Sequence, residues 1–161
     1  MTGEAEIEAI FDRLKALCPS GFAVALHIRF TTPAYFLQTY SKDWLARYAE
    51  KGMLMNDPIA VWGFANTGSI RWSELALSDS AGVLQEAKSF GMNFGLAHAT
   101  DADNSRSVSG FSRPDREFSD HEILEIVDLI GRLHRLSASR TPLSHDARER
   151  LHKLSVSYPA P

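Results

Sequence analysis

The chain has 161 residues, 44% of them hydrophobic and 23% charged, which predicts one globular domain and excludes a mainly disordered chain. The formal net charge is −3, and Lys and Arg are dispersed, so no basic patch typical of nucleic-acid binding stands out. Because Cys18 is the single cysteine and no signal peptide or transmembrane stretch is recognisable, we expect a cytoplasmic protein.

The first forty residues predict a helix followed by a β-hairpin. Apolar residues at helical spacing form the helix, which ends at the CPSG sequence at 18–21. Alternation over 22–30 predicts a strand that places its even-numbered residues on one face. After a TTP turn, residues 34–40 favour a second strand that ends at Tyr40.

The middle of the chain predicts three helices. The first has Ser41 as its N-cap and ends at Gly52, a residue type typical of the position after a helix. The second begins with Asp57 as N-cap and Pro58 at its first position. The third begins near the serines of the LSDS sequence and ends at Gly91.

The last part of the chain predicts a hairpin and a long helix. Two strands, at 93–100 and 106–113, flank a polar turn. Ser119 and Glu122 form a capping box before an amphipathic helix. Together the elements predict an α/β (α+β) fold, an α/β/α sandwich with a central antiparallel sheet of about five strands and helices on both faces.

Motifs for catalysis or for cofactor binding are not recognisable in the sequence. It contains no GxSxG, Walker loop, HExxH or CxxC, and we expect neither a metal nor a cofactor. His27 and His98 fall in predicted strands, where they either meet across the sheet in a metal or acid-base site or serve as ordinary half-buried side chains.

A set of aromatic residues next to an acidic one requires an explanation. Tyr40, Trp44 and Tyr48 recur at steps of four, which is typical of a helix packed on a sheet. Asp57 does not suit such a core, because a buried carboxylate costs several kcal/mol unless it accepts hydrogen bonds. Trp72 follows a turn and can close one end of the same space.

The order and spacing of this set match a known family. The matching residues are Tyr40, Trp44, Tyr48, Asp57 with Pro58, Trp72 and Gly95. In this pattern the sequence resembles the autoinducer-binding domain of LuxR-type quorum-sensing receptors, over roughly residues 5–138.

The resemblance implies binding of an N-acyl-homoserine lactone between the sheet and one helical layer, without catalysis. Trp44 would donate its indole N–H to the lactone carbonyl, and Asp57 would accept the N–H of the ligand amide. Tyr40 would donate to the acyl carbonyl, and Trp72 would pack against the lactone ring. Ser112 falls where such domains often place a hydroxyl near the acyl amide or a 3-substituent.

The resemblance also implies a channel for the acyl chain. The residues expected to line it are Phe36, Leu45, Tyr48, Leu54, Ile59, Val83, Ala87, Met92, Val108 and Gly110. The bulk of Phe36 and Met92 favours a short or medium acyl chain.

The sequence divides into a ligand-sensing domain at 1–140 and a tail at 141–161. The tail resembles the start of the helix-turn-helix domain that full-length receptors carry, so we expect a sensor without its own DNA reader. Such a domain would act as a homodimer or by pairing with a full-length LuxR-type regulator. Two alternatives stay open, a GAF- or PAS-like sensor of another metabolite and a small hydrolase that acts on a lactone or amide.

Overall fold

A five-stranded antiparallel sheet forms the centre of the structure, a computed structural model that describes residues 3–30, 32–138 and 145–154. The strands are β1 (Gly21–Arg29), β2 (Thr32–Gln38), β3 (Gly68–Arg71), β4 (Phe94–Ala102) and β5 (Ser105–Arg113). Their order across the sheet is β2-β1-β5-β4-β3, and every neighbouring pair is antiparallel. The predicted hairpins β1–β2 and β4–β5 are both confirmed.

Helices cover both faces of this sheet, which confirms the predicted α/β/α sandwich. The long-helix layer on one face contains α1 (Gly3–Leu17), α6 (Asp120–Leu136) and α7 (His145–Leu154). The short-helix layer on the other contains α2 (Lys42–Glu50), α3 (Pro58–Ala65), α4 (Trp72–Leu75) and α5 (Val83–Ala87), with 3₁₀ turns at 53–56, 76–78 and 88–90. Among the described helices, none has the length and apolar character needed to cross a membrane.

The core cluster lies between the sheet and the long-helix layer. It buries side chains from α1, α6 and α7 and from the strands β1, β2, β4 and β5, many of them at 0 to 1% exposure. Its members are Ile7, Ile10, Leu14, Leu17, Cys18, Phe22, Val24, Leu26, Leu37, Leu96, Phe111, Phe118, Ile126, Leu129, Ile130, Leu133, Ala147 and Leu151. Burial of this apolar surface is the main source of stability for this side of the molecule.

The alternation predicted for β1 is wrong beyond Leu26. The register with β5 shifts between Ala25 and Ile28, and His27 lies in this irregularity with φ of 53°. The backbone N–H of His27 donates to Ser107 Oγ at 3.0 Å instead of continuing the ladder. Phe30, expected on the buried face, has a φ of 58° and is 99% exposed. A bulge of this kind redirects every following side chain.

Two features between α3 and β4 also differ from the sequence prediction. The turn predicted before Trp72 contains β3, which pairs along the edge of β4 with Ser69 opposite His98. The third helix was expected to begin at Ser78 or Ser80, but α5 begins at Val83. The cause is Asp79, whose carboxylate accepts three backbone N–H groups at the start of α5 and acts as its cap.

The tail forms a helix that packs on the outer face of the domain. Ala147 and Leu151 of α7 are fully buried against the core cluster. The ring of His152 lies 5.1 Å from that of Tyr35 in β2, and Arg150 forms an ion pair with Glu8. The remainder of the predicted tail, at 141–144 and 155–161, lies outside the described residues, and its resemblance to a helix-turn-helix start stays a prediction.

Candidate ligand-binding site

A second buried cluster lies between the sheet and the short-helix layer, and its character is aromatic. We call it the aromatic cluster. Its buried members are Trp44, Met53, Trp72, Leu75, Val83, Leu84, Ala87, Met92 and Ala97, with Tyr40, Tyr48, Ile59, Trp62, Ile70 and Phe90 partly buried around them. The structure therefore brings Tyr40, Trp44, Tyr48 and Trp72 together.

Asp57 is placed beside this cluster by the start of α3. Its Oδ1 accepts the backbone N–H of Ile59 at 2.9 Å, so the carboxylate is the N-cap predicted from the Asp-Pro pair. Its Oδ2 accepts the hydroxyl of Tyr48 at 2.7 Å. Tyr48, expected only as a wall of the acyl channel, is thus also a hydrogen-bond donor to the acidic residue.

Burial raises the pKa of Asp57, although the bonds from Tyr48 and Ile59 oppose this shift. Desolvation dominates because these two bonds, and a third from the backbone of Ala60, replace only part of the water that a carboxylate binds. The internal partners explain how the carboxylate is tolerated without any ligand amide. They leave it with acceptor capacity, since a carboxylate can accept about four hydrogen bonds.

Tyr40 lies at the end of β2 and reaches the middle of β5. Its hydroxyl donates to the carbonyl oxygen of Gly110 at 3.3 Å. Burial raises the pKa of Tyr40 well above its usual value, and the charge of Asp57 adds to the shift. The phenol therefore stays protonated at any physiological pH and acts as a neutral donor.

Trp44 sits in the first turn of α2, which Ser41 caps as predicted by accepting the N–H of Trp44 at 3.2 Å. Its ring is 4% exposed and lies 5.8 Å from the ring of Tyr48 and 5.2 Å from that of Phe90. The indole is therefore held between α2 and the 3₁₀ turn before β4.

Trp72 packs flat against the backbone of Gly95 in β4. A Cβ atom placed on Gly95 would lie 1.9 Å from the indole, so only glycine allows this contact. Trp72 is 6% exposed, and its Nε1 has no hydrogen-bond acceptor within reach among the described residues. The match at Gly95 thus has a structural reason, and the indole N–H is an unused donor.

Ser112 and Gly110 face the aromatic cluster from β5. Ser112 is paired directly with Gly95 and therefore shares its face of the sheet. Its hydroxyl is fully buried and donates to the carbonyl oxygen of Gly21 at 3.0 Å. A hydroxyl that donates one bond can still accept others, so Ser112 retains a polar function toward this face.

The expected channel residues divide into four groups. Tyr48, Ile59, Val83, Ala87 and Met92 belong to the aromatic cluster. Gly110 and Val108 back it from β5, where Val108 packs so closely on Gly63 of α3 that a Cβ on Gly63 would lie 2.3 Å away. Phe36 and Leu45 are partly buried but outside the cluster.

The fourth group is Leu54 alone. Leu54 was expected to line the channel, but its side chain is 43% exposed in the 3₁₀ turn at 53–56. The buried residue of this turn is Met53, at 6% exposure. The turn follows Gly52, which adopts the left-handed conformation that favours glycine.

Several residues of the aromatic cluster were missed by the sequence reasoning. They are Met53, Trp62, Ile70, Leu75, Leu84, Phe90 and Ala97. Trp62 carried a usable signal, because it lies three residues after Ile59 and so on the same face of α3. The close approach at Gly63 carried none, since a single glycine in a helix does not reveal its neighbour.

The two histidines considered for chemistry do not meet. His27 turns toward α6, where its ring lies 4.3 Å from that of His134 and its Nε2 is 2.8 Å from the backbone oxygen of His134. The Nδ1 of His98 is 2.7 Å from Ser69 Oγ across the β3–β4 pair. No group of three or more His, Cys, Asp or Glu residues suited to a metal ion is found in the described parts of the chain.

Comparison with known proteins gives a consistent result. The family model described as the autoinducer binding domain matches residues 14–139. The transcriptional activator protein SolR of Ralstonia nicotianae is 29% identical over 83 residues, which are 52% of this chain and 35% of SolR.

Solved structures share the fold. Escherichia coli SdiA aligns with a TM-score of 0.60 at 20% identity, covering 96% of this chain and 62% of the SdiA chain. CepR2 of Burkholderia cenocepacia, described as an N-acylhomoserine lactone dependent LuxR family factor, aligns with a TM-score of 0.59 at 19% identity, covering 86% of this chain and 84% of that one. This chain therefore spans less than two thirds of SolR and of the aligned SdiA chain.

Proposed function

The chain belongs to the autoinducer-binding domain family, and from this we propose that it is a quorum-sensing receptor domain that binds an N-acyl-homoserine lactone. Domains of this family sense a small-molecule signal and are not enzymes. The proposed site is the aromatic cluster, between the sheet and the short-helix layer.

One observation carries this assignment, the convergence of polar groups in an otherwise apolar cluster. Tyr40 presents a hydroxyl donor, and Asp57, which accepts the hydroxyl of Tyr48, presents a carboxylate with remaining acceptor capacity. An acyl amide has one carbonyl acceptor and one N–H donor, so it is complementary to this arrangement. A ligand that takes Tyr40 away from the carbonyl oxygen of Gly110 must offer another acceptor, because a buried polar group without a partner costs free energy, and an acyl carbonyl is such an acceptor.

Each polar residue has one proposed partner on the ligand. Trp44 donates its indole N–H to the lactone carbonyl, and Tyr40 donates to the acyl carbonyl after leaving Gly110. Asp57 accepts the amide N–H while it keeps its bonds to Tyr48 and to the start of α3. Ser112 accepts or donates near the amide or a 3-substituent.

The acyl chain is proposed to run between α3 and β5, over Ile59 and Gly110. A Cβ on Gly110 would lie at ordinary contact distance from Ile59, whereas Gly63 and Val108 close this path one turn further along α3. A short or medium acyl chain therefore fits better than a long one. One structure of SdiA is a complex with octanoyl-rac-glycerol, so monoacylglycerols belong among the ligands to be tested.

Calorimetric titration with N-acyl-homoserine lactones of increasing chain length tests this function. We expect binding for at least one lactone, accompanied by an increase in Tm. Asp57→Asn should weaken binding of that lactone by about 1 to 3 kcal/mol, because a neutral amide group then faces the ligand N–H in place of the carboxylate. No heat and no stabilisation with any lactone would exclude the proposed ligand class.

Asp128→Asn is the matched control. Asp128 lies on α6, in the opposite layer, and its carboxylate is exposed near Arg132. The change should leave lactone affinity unaltered. If Asp57→Asn also leaves lactone affinity unaltered, Asp57 serves only to cap α3 and to accept the bond from Tyr48.

We further propose that the domain pairs with a second copy or with a full-length LuxR-type regulator. Light scattering with and without ligand, and co-purification with such a regulator from the same cell, measure this directly. A monomer under all conditions that retains no regulator would contradict both forms of pairing.

A further inference from the structure

The path proposed for the acyl chain between α3 and β5 ends where Gly63 meets Val108. A Cβ on Gly63 would lie 2.3 Å from a methyl group of Val108, whereas a Cβ on Gly110 would lie 3.7 Å from Ile59. The backbone of α3 itself closes the path, because Gly63 has no side chain that could turn aside. Val108 is buried and β-branched, so it has few alternative rotamers. A longer path therefore requires the end of α3 to move away from β5.

Arg106 of β5 holds the end of α3 in this position. It alternates along the strand with Val108 and Gly110 and therefore lies on the same face of the sheet. Its Nη1 donates to the carbonyl oxygen of Gly63 at 2.9 Å and also to that of Asn66. The last carbonyl groups of a helix have no partner inside the helix, and its dipole favours a cation there. One guanidinium thus binds the residue that closes the path.

Two further contacts fix the guanidinium itself. Its Nη2 donates to Thr67 Oγ1 at 3.3 Å and to Asp101 Oδ2 at 3.0 Å, and Asp101 is the residue directly opposite on β4. The side chain of Arg106 is only 24% exposed, so solvent screens its bonds less than those of a fully exposed ion pair. We call Arg106 with its partners Gly63, Asn66, Thr67 and Asp101 the Arg106 clamp.

Charged side chains hold α3 only at its two ends. The helix has the sequence PIAVWGFA, which contains no charged residue, and Asp57 caps its start. Its outward side chains Val61 and Phe64 are 59% and 44% exposed, so this side of the helix adds little burial. Apolar contact with the sheet holds the middle of α3. The position of its last turn therefore depends on Arg106.

We propose that Arg106 is a positioning residue for ligand specificity, which sets the longest acyl chain that the site accepts by holding Gly63 against Val108. It acts through α3 and needs no contact with the ligand. This inference rests on the proposed function, because it concerns the far end of the same acyl path. Weakening the Arg106 clamp should admit longer chains, whereas a general loss of structure would weaken all chains alike.

Calorimetry with N-octanoyl- and N-dodecanoyl-homoserine lactone tests this role. Arg106→Met keeps a long apolar side chain and removes the charge and the N–H donors. We expect the ratio of the dodecanoyl Kd to the octanoyl Kd to fall at least about tenfold, because additional methylene groups become buried in the site. Arg106→Lys restores a cation at the end of α3 and should return most of the wild-type ratio.

Arg113→Met is the matched control. Arg113 lies near the other end of β5 and donates to the carbonyl oxygen of Leu17, at the end of α1, at 2.9 Å. It also pairs with Asp115 at 3.1 Å, so it resembles Arg106 in its contacts but belongs to the long-helix layer. Its loss should lower Tm and leave the ratio of the two Kd values unchanged.

Two milder variants give the same measurement if Arg106→Met does not fold. Asp101→Asn removes the ion pair but keeps the bonds from Arg106 to α3, and it should lower the ratio about twofold. Val108→Ala widens the closure without altering the Arg106 clamp and should lower the ratio at least about threefold.

The outcomes separate this inference from the proposed function. Equal weakening of both lactones by Arg106→Met would overturn the positioning role while lactone binding stands. The role is also overturned if Val108→Ala lowers the ratio and Asp101→Asn leaves it unchanged. If no lactone binds, the proposed ligand class fails, and octanoylglycerol and dodecanoylglycerol then measure the same ratio in the same variants. Failure of every acyl probe to bind would overturn the acyl path and the role of Arg106 together.

Discussion

Two carboxylates on opposite sides of the sheet experience opposite environments. Glu122, at the start of α6, accepts bonds from Arg116 at 2.7 and 3.0 Å and from the backbone of Ser119 at 2.8 Å. These partners lower its pKa to about 2. Asp57 is held by Tyr48 and by the start of α3, and desolvation raises its pKa. The long-helix layer stabilises the charge of Glu122, whereas the short-helix layer disfavours the charge of Asp57.

The apolar clusters differ in the same way. The core cluster consists of closely packed aliphatic and phenylalanine side chains, many of them fully buried. The aromatic cluster has partly buried tyrosines, an unpaired indole N–H and an adjoining cleft. Binding sites commonly keep such unsatisfied groups at some cost in stability. The comparison predicts that stability resides in the long-helix layer and ligand recognition in the short-helix layer.

The largest expected effect is on stability. Phe111→Ala removes a fully buried ring of the core cluster and should lower the free energy of unfolding by about 3 to 5 kcal/mol. Phe90→Ala, in the partly buried rim of the aromatic cluster, should cost only about 1 to 2 kcal/mol. Urea unfolding measures both. Equal losses would mean that both layers contribute equally to stability, which would contradict the prediction that stability resides in the long-helix layer.

A single methyl group at Gly95 should disturb the short-helix layer next most strongly. Because its Cβ would lie 1.9 Å from the indole of Trp72, Gly95→Ala must displace that ring. We expect the free energy of unfolding to fall by about 1 to 3 kcal/mol and the lactone to bind more weakly. Gly131→Ala in α6 is the matched control, since its Cβ meets only the flexible end of Arg135 at 3.4 Å and should slightly stabilise the helix. Thermal unfolding and calorimetry distinguish the two.

Tyr48→Phe tests whether Asp57 depends on its internal donor. The substitution removes the 2.7 Å bond and leaves one carboxylate oxygen of Asp57 without that partner. We expect a loss of about 1 to 2 kcal/mol in stability and a further rise in the pKa of Asp57, which NMR titration of the side-chain carboxyl reports. An unchanged pKa would show that the hydroxyl of Tyr48 contributes little to holding the charge.

The two carboxylates should also give opposite pH dependences. The lowered pKa of Glu122 adds stability that is present above its unfolded pKa and is lost as the pH falls toward about 2. The raised pKa of Asp57 adds stability that is present below its unfolded pKa and is lost as the pH rises through its folded pKa. Glu122→Gln should lower the free energy of unfolding near neutral pH by about 1 kcal/mol, a figure reduced for screening by solvent. Asp57→Asn should remove the fall in stability with rising pH that Asp57 causes. Urea midpoints across pH 2 to 7 measure both effects.

Local chemistry was readable from the sequence. Ser41, Asp57 with Pro58, and Ser119 with Glu122 cap helices as predicted. Asp103 and Asn104 adopt positive φ values in the predicted β4–β5 turn. Each of these features depends on a side chain and on backbone groups a few residues away, so a short window of sequence contains the necessary information.

Long-range contacts were not readable. The bulge at His27 depends on Ser107, 80 residues later, and on the end of α6. The placement of Trp72 depends on Gly95, and that of α3 on the contact between Gly63 and Val108. The resemblance located the aromatic residues and Asp57, but it did not locate the bond from Tyr48 or the cleft, because these follow from how the short helices pack.

The smallest expected effect concerns Leu54, an expected channel residue whose side chain the structure leaves exposed. Its side chain is 43% exposed, whereas Ile59 packs in the aromatic cluster and faces Gly110. Leu54→Ala should therefore change lactone affinity less than about twofold, and Ile59→Ala should weaken it about tenfold if the acyl chain follows the proposed path over Ile59, because apolar contact is then lost. Calorimetry with one lactone compares the two variants. If Leu54→Ala is as costly as Ile59→Ala, the turn at 53–56 closes over the ligand, and this part of the site forms only on binding.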